Sequence, residues 1–117
     1  MWDNLKQESL KNTRQFQEVY STRNSSANKN LVMYVKENQL ERNRIGISVS
    51  KKVGNSVVRH RITRLIRESY RLNVCNICKG YDIVVVARVN AKNKNYREIE
   101  SSFLHLLKLH KITKKLG

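Results

Sequence analysis

The sequence predicts an α+β fold of order α-β-β-α-β-α, a two-layer sandwich with helices packed on one sheet. Three observations predict it. Apolar residues recur at helical spacing near 12–20, over 56–72 and from 96 onward. Runs rich in strand formers lie between them, at 31–37, 44–50 and 81–89. The 117 residues hold four glycines, no proline and no repeat or low-complexity linker, so a single domain over 1–117 is expected, with 1–8 as a flexible tail.

In the first helix, Asn12 is the expected cap, with Gln15 three residues on. Phe16 and Tyr20 are four apart and share a face. Residues 21–30, "STRNSSANKN", read as a polar loop with room for a short extra strand before residue 31. In "LVMYVKE", Leu31, Met33 and Val35 point one way, and Val32, Tyr34 and Lys36 the other. The second strand alternates Ile45, Ile47 and Val49 against Arg44, Gly46, Ser48 and Ser50. A connection of about six polar residues suggests that these two strands pair antiparallel, one face apolar and one mostly polar. "YDIVVVARV" lacks alternation and reads as a central strand buried on both faces. The last helix carries an apolar stripe of Ile99, Phe103, Leu106, Leu107 and His110.

Charge is the unusual property. Twenty-four basic residues oppose nine acidic ones, for a net +15. Self-repulsion of that size disfavours a compact state unless a polyanion relieves it. A membrane-crossing helix needs about 20 consecutive apolar residues, and no such run exists. The opening "MWDNLKQESLKN" lacks a signal-peptide core. A soluble cytoplasmic protein without a membrane partner is expected, and its Cys75 and Cys78 need not be bridged.

The charge concentrates in "KKVGNSVVRHRITRLIRESYR", residues 51–71, with seven lysines and arginines and one glutamate. Gly54 permits a sharp turn and Asn55 is a good helix cap. Val58, Ile62, Leu65, Ile66 and Ser69 fall on one side of a helix over about 56–72; His60, Arg64, Arg67 and Arg71 fall on the far side. Arg59 and Arg61 flank the apolar stripe. A solvated face would mix both signs, but only Glu68 offsets the cations. A membrane-surface helix would present bulky apolar groups such as Trp or Phe. Gripping phosphate fits best, because the arginine fork suits phosphate oxygens. The helix N-terminus adds free N–H donors, and Lys51 and Lys52 precede it.

The order of residues narrows this further. "GISVSKKVGNSVVRHRITRLIRESYR" closely resembles the signature of the bacterial ribonuclease P protein subunit: a strand, a Lys-Lys-x-Gly-Asn loop and a helix with an Arg-Asn-Arg core. "FQEVY", a later strand tyrosine, "YDIVVVAR" and a closing amphipathic helix follow in the family's order, over roughly residues 9 to 112. The resemblance implies helices on one sheet face and a left-handed β-α-β crossover, against the usual hand. It implies that the basic helix and its loop face a catalytic RNA subunit. Lys51, Lys52, Gly54, Asn55, Arg59, Arg61, Arg64 and Arg67 match the motif, and His60 and Arg71 lie beside them. It also implies a cleft between first helix and sheet that holds the 5′ leader of precursor tRNA, lined by Phe16, Tyr20 and Tyr34. Strand alternation adds Lys36, Ser48 and Ser50 to that face. Aromatic faces accept unpaired bases with little sequence demand, as a variable leader requires. Cleavage would then belong to the RNA and its magnesium ions, giving the mature tRNA 5′ end, with no catalytic residue, cofactor or metal on the protein alone. His60 stands where the family usually has Asn, and Thr63 where a basic residue is common.

Other constellations are weaker. Cys75 and Cys78 with His105 and His110 offer four zinc ligands on paper, but two helical residues five apart differ by about 140° in direction. The acidic residues are scattered, unlike a two-metal nuclease. A ribosomal or other structural RNA-binding protein of related fold is the alternative reading.

Overall fold

The structure is a computed structural model and describes residues 9–114. The expected flexible tail, 1–8, lies outside the described residues. Asn12 caps the first helix, α1 (Thr13–Ser21), and its side chain accepts from the Gln15 N–H at 3.0 Å. The short extra strand is present as β1 (Ser25–Ala27), followed by β2 (Leu31–Glu37) and β3 (Arg44–Ser48). The basic helix is α2 (Ser56–Asn73), β4 is Tyr81–Ala87, and α3 (Tyr96–Leu109) closes the fold. Short 3₁₀ turns, Val74–Asn76 and Val89–Asn93, flank β4. The second one ends β4 two residues before the expected 89, just as β3 ends at Ser48 and not at residue 50.

The strand order is β1-β2-β4-β3. The expected antiparallel pairing of 31–37 with 44–50 is therefore wrong. β4 inserts between them, antiparallel to β2 and parallel to β3. The reason is visible in the strands. β4 is buried along almost its whole length, and a strand apolar on both faces is most stable with a neighbour on each side. The six-residue connection is long enough to span β4 rather than turn back on itself.

The crossover from β3 through α2 to β4 is left-handed. In β2 the Val35 N–H donates to the Asn24 carbonyl and the Leu31 carbonyl accepts from the Asn28 N–H, so odd-numbered residues turn their backbone toward β1. Their side chains enter the core shared with α2 and α3. For L-residues seen from the side-chain side on an upward strand, that backbone edge lies to the right. With the strand order above, β4 then lies left of β3 beneath α2, the rarer hand.

The sandwich expected from sequence is formed by α2, α3 and the sheet. Ile62, Ile66 and Tyr70 of α2 and Ile99, Phe103, Leu106 and Leu107 of α3 are buried with Leu31, Met33, Ile83 and Val85. Each side chain of that kind contributes about 1.5–3 kcal/mol when fully buried. The expectation that all helices share one face is corrected by α1, which packs on the opposite face through Val19 against Val84. Among the described residues, three buried ones anchor that second cluster: Leu10, Val19 and Val84. No described helix is long and apolar enough to cross a membrane.

Candidate nucleic-acid interface

The chain enters α2 through a turn at 51–53 that buries Val53 and exposes Lys51 and Lys52. Gly54 follows because a side chain has no room there: a Cβ would sit 2.8 Å from that of Val58. The Asn55 side chain accepts from the Val58 N–H at 3.0 Å and starts the helix. Burial of Ile62, Ile66, Ser69 and Tyr70 fixes the rotation of α2 and turns His60, Arg61, Arg64, Arg67 and Arg71 to solvent.

The cations on that surface differ in their partners. Among the described residues, Lys51, Lys52, Arg64 and Arg67 make no salt bridge. Arg71 is held by Glu68 through two bonds of 2.7 and 2.8 Å, and the guanidinium keeps that carboxyl below its usual range. Arg61 donates to the Lys94 carbonyl at 2.8 Å, which ties α2 to the start of α3. Arg59 is the least satisfied. Its Nε is buried and finds no acceptor among the described residues. It lies at an open pocket of about 330 Å³, shared with Val49, Ser56, His60 and Thr63. A buried donor without a partner costs about 1–3 kcal/mol. Thr63, one of the two departures from the family pattern, spends its hydroxyl on the Arg59 carbonyl at 2.8 Å.

On the opposite face, α1 and the sheet hold an aromatic cluster. Phe16 and Tyr20 have centroids 6.5 Å apart, and Tyr20 meets Tyr34 edge-on at 4.8 Å. All three are half-buried, each keeping part of its ring open. Phe16 can lie against the sheet only because Gly46 lacks a side chain: a Cβ there would come within 2.5 Å of the ring. Burial, foremost, raises the Tyr20 phenol above its ordinary value, and a hydrogen bond with Ser48 works against it.

The register Tyr34–Val84–Gly46 places Tyr34 and Gly46 on one face, with Lys36 toward one end and Ser48 toward the other. Parity survives the insertion of β4, so these residues share the face expected of them although their strands do not touch. Ser50 does not join them. It belongs to the loop after β3, where its carbonyl accepts from the Val53 N–H. At the Lys36 end, Arg44 grips Asp82 through bonds of 2.8 and 2.6 Å, and Asn38 donates to the same carboxylate at 2.9 Å.

Sequence reasoning missed several polar residues. Arg88, just past β4, donates to the Asn28 carbonyl at 2.8 Å. Lys29, Lys94 and Arg97 gather near the start of α3. Residue 29 is far from 94 and 97 in the chain, and only their clustering in space distinguishes them from other surface cations.

No group of three or more His, Cys, Asp or Glu that could hold a metal occurs among the described residues. Cys75 and Cys78 are free thiols. The two histidines considered with them are engaged apart: His105 Nδ1 lies 3.2 Å from Asn28 Nδ2, and His110 Nε2–H donates to the Met33 carbonyl at 3.1 Å. Burial lowers the His110 pKa below its ordinary value, against that bond.

The model of the Ribonuclease P family matches residues 5–111. The ribonuclease P protein component of Lachnoclostridium phytofermentans is 67% identical over 105 residues, spanning 90% of this chain and 90% of that protein. The corresponding component of Alkaliphilus metalliredigens is 53% identical over 103 residues, 88% of this chain and 93% of that one. A Staphylococcus aureus RNase P protein mutant with defective mRNA degradation activity superposes with a TM-score of 0.85 at 39% identity, covering 92% of this chain and 91% of that one. The Thermotoga maritima RNase P protein gives 0.80 at 30% identity, over 87% and 96%.

Proposed function

This chain belongs to the ribonuclease P protein family, and from that premise we propose how its two basic and aromatic surfaces divide the work. As a bacterial ribonuclease P protein component it is an RNA-binding part of an endoribonuclease that processes tRNA. Family membership also displaces the reading as a ribosomal protein.

The cationic side of α2 and the loop before it dock the catalytic RNA subunit. Lys51, Lys52, Gly54, Asn55, Arg59, His60, Arg61, Arg64, Arg67 and Arg71 form this surface. The observation that carries the reading is the buried Arg59 Nε–H, without an acceptor among the described residues, beside Lys51, Lys52, Arg64 and Arg67, which make no salt bridge there. A phosphate oxygen would satisfy the donor and relieve the repulsion together. Arg64 and Arg67 supply further phosphate contacts, and the capped N-terminus of α2 adds backbone donors. Arg71, already paired with Glu68, contributes less than its neighbours.

The cleft beneath α1 holds the 5′ leader of precursor tRNA. Phe16, Tyr20 and Tyr34 offer ring faces for stacking; Lys36 and Ser48 offer polar contacts along the same face. Ser50, in the loop beyond β3, sits at the passage toward Lys51. The RNA subunit and the magnesium ions it holds carry the cleavage, and the protein strengthens their grip on the substrate. No metal-borne step is assigned to this chain.

Cleavage of a 5′-extended tRNA at low magnesium tests the proposal. Protein alone should be inert, and protein with its RNA subunit should cut at the mature 5′ end faster than that RNA alone. Cleavage by the protein by itself, or no acceleration of the RNA, would overturn it.

A further inference from the structure

Beyond α2 the cationic surface continues onto the first turns of α3. Lys29, from the β1–β2 turn, joins Lys94 and Arg97 along an open groove of about 400 Å³. The groove floor is held by side chains from three segments. Asn30, which is buried, donates to the Ser102 hydroxyl at 2.8 Å and accepts from the Asn90 amide at 2.9 Å. The Asn28 amide donates to the Ser102 carbonyl at 2.9 Å. These bonds lock the turn, the 3₁₀ segment and α3 together, so the three cations stand on a fixed frame.

Their charge is scarcely neutralised. Among the described residues Lys29 and Arg97 make no salt bridge. Among the described residues, Glu98 is the one acid lining the groove, and it approaches Lys94 only to 3.9 Å. Its other oxygen accepts from the Asn95 N–H at 3.2 Å as part of the α3 capping box. Among the described residues, the lining contains no aromatic ring to stack a base. Cations, amides and hydroxyls without aromatics suit a sugar–phosphate backbone, which carries no sequence information. The shape is an open trough, suited to a chain and not to a small enclosed anion. The groove also adjoins the basic helix, because Arg61 of α2 donates to the Lys94 carbonyl.

We propose that this groove is a second docking surface for the RNA subunit, holding the backbone of the RNA that continues past α2. This rests on the assignment of α2 to that RNA. Lys94, Arg97 and Lys29 neutralise successive phosphates, and the Asn30–Ser102–Asn90 frame keeps them in line.

The test is a salt titration of binding between the full chain and its RNA subunit. Lys94→Ala with Arg97→Ala should lower affinity about tenfold or more and reduce the log–log salt slope by about 2, near one per lost phosphate contact. Lys108→Ala with Lys111→Ala, two exposed cations at the other end of α3, controls for net charge and should leave the slope unchanged. Glu98→Gln retains the cap acceptor and should tighten binding. A thermal melt of each variant confirms folding. Equal losses from the two double variants would overturn the inference. Arg64→Ala with Arg67→Ala in the same titration separates the two levels. If that pair weakens binding and the groove pair does not, the groove is not a docking surface and the α2 reading stands. If neither weakens binding, the α2 reading falls and the groove with it.

Discussion

The two faces of the sheet are made from alternate residues of the same strands, yet they are built to different standards. On one, Leu31, Met33, Ile83 and Val85 are sealed beneath α2 and α3 with nothing exposed. On the other, Val32, Tyr34, Val86 and Ser48 remain half-open beside a nine-residue helix. A sealed apolar face stabilises, since every methylene there is removed from water. A half-open face of aromatics leaves ring surface unsatisfied and available. On the proposed reading, strand alternation assigns stability to one set of residues and binding to the other, one position apart in the chain. Substitutions on the two faces should separate those properties.

The largest effect is expected on the sealed face. Phe103→Ala should cost about 3–5 kcal/mol of stability, read as a lower urea midpoint, with RNA binding lost only as the fold is lost. A milder cost would mean that the core tolerates a cavity there. Gly46→Ala comes next and probes the border between the faces. Its Cβ would displace the Phe16 ring and press on Leu10. The expected cost is about 1–3 kcal/mol of stability, together with loss of the preference for 5′-extended over mature tRNA. Unchanged preference would show that the seat of Phe16 is irrelevant to the leader.

Tyr34→Ala acts on the open face alone. It should weaken leader-bearing substrate by about 1–3 kcal/mol per stacked base while sparing mature tRNA and most of the stability. Equal weakening of both substrates would remove the leader from this cleft. The smallest effect concerns the sealed side at high pH. The Tyr96 phenol donates to Glu100 at 2.8 Å, and its pKa is pushed up to about 12, first by burial and then by that carboxylate. The folded state favours the neutral phenol, so its contribution is complete below the ordinary value of 10.0 and fades as pH rises through about 12. Tyr96→Phe should flatten the stability profile across that window in chemical denaturation; an unaltered slope would assign it to other groups.

Much of this was legible in residue order, and the exceptions have definite causes. The period-2 alternation of 31–37 and 44–48 correctly put Tyr34, Lys36, Gly46 and Ser48 on one face, because side-chain direction is a local property of an extended chain. The same strands misled about partners. Pairing is non-local, and a short polar connection looks like a hairpin whether or not a third strand later inserts. The apolar run 83–87 of β4 held the missing clue, since a strand buried on both faces needs two neighbours. Ser50 was assigned by extrapolating the alternation past the end of β3.

The sequence by itself determined the principal helices and strands, the caps Asn12 and Asn55, the facing of β2 and β3 and the cationic side of α2. All of these follow from dihedral preference and periodicity within about a dozen neighbouring residues. Tertiary structure alone decided the place of β4, the seat of Phe16 on Gly46, the buried Nε of Arg59 and the meeting of Lys29 with Lys94 and Arg97. Apart from the Arg59 donor, whose surroundings are near in sequence, each joins residues far apart in the chain, and contacts of that kind are set by which surfaces the whole core brings together.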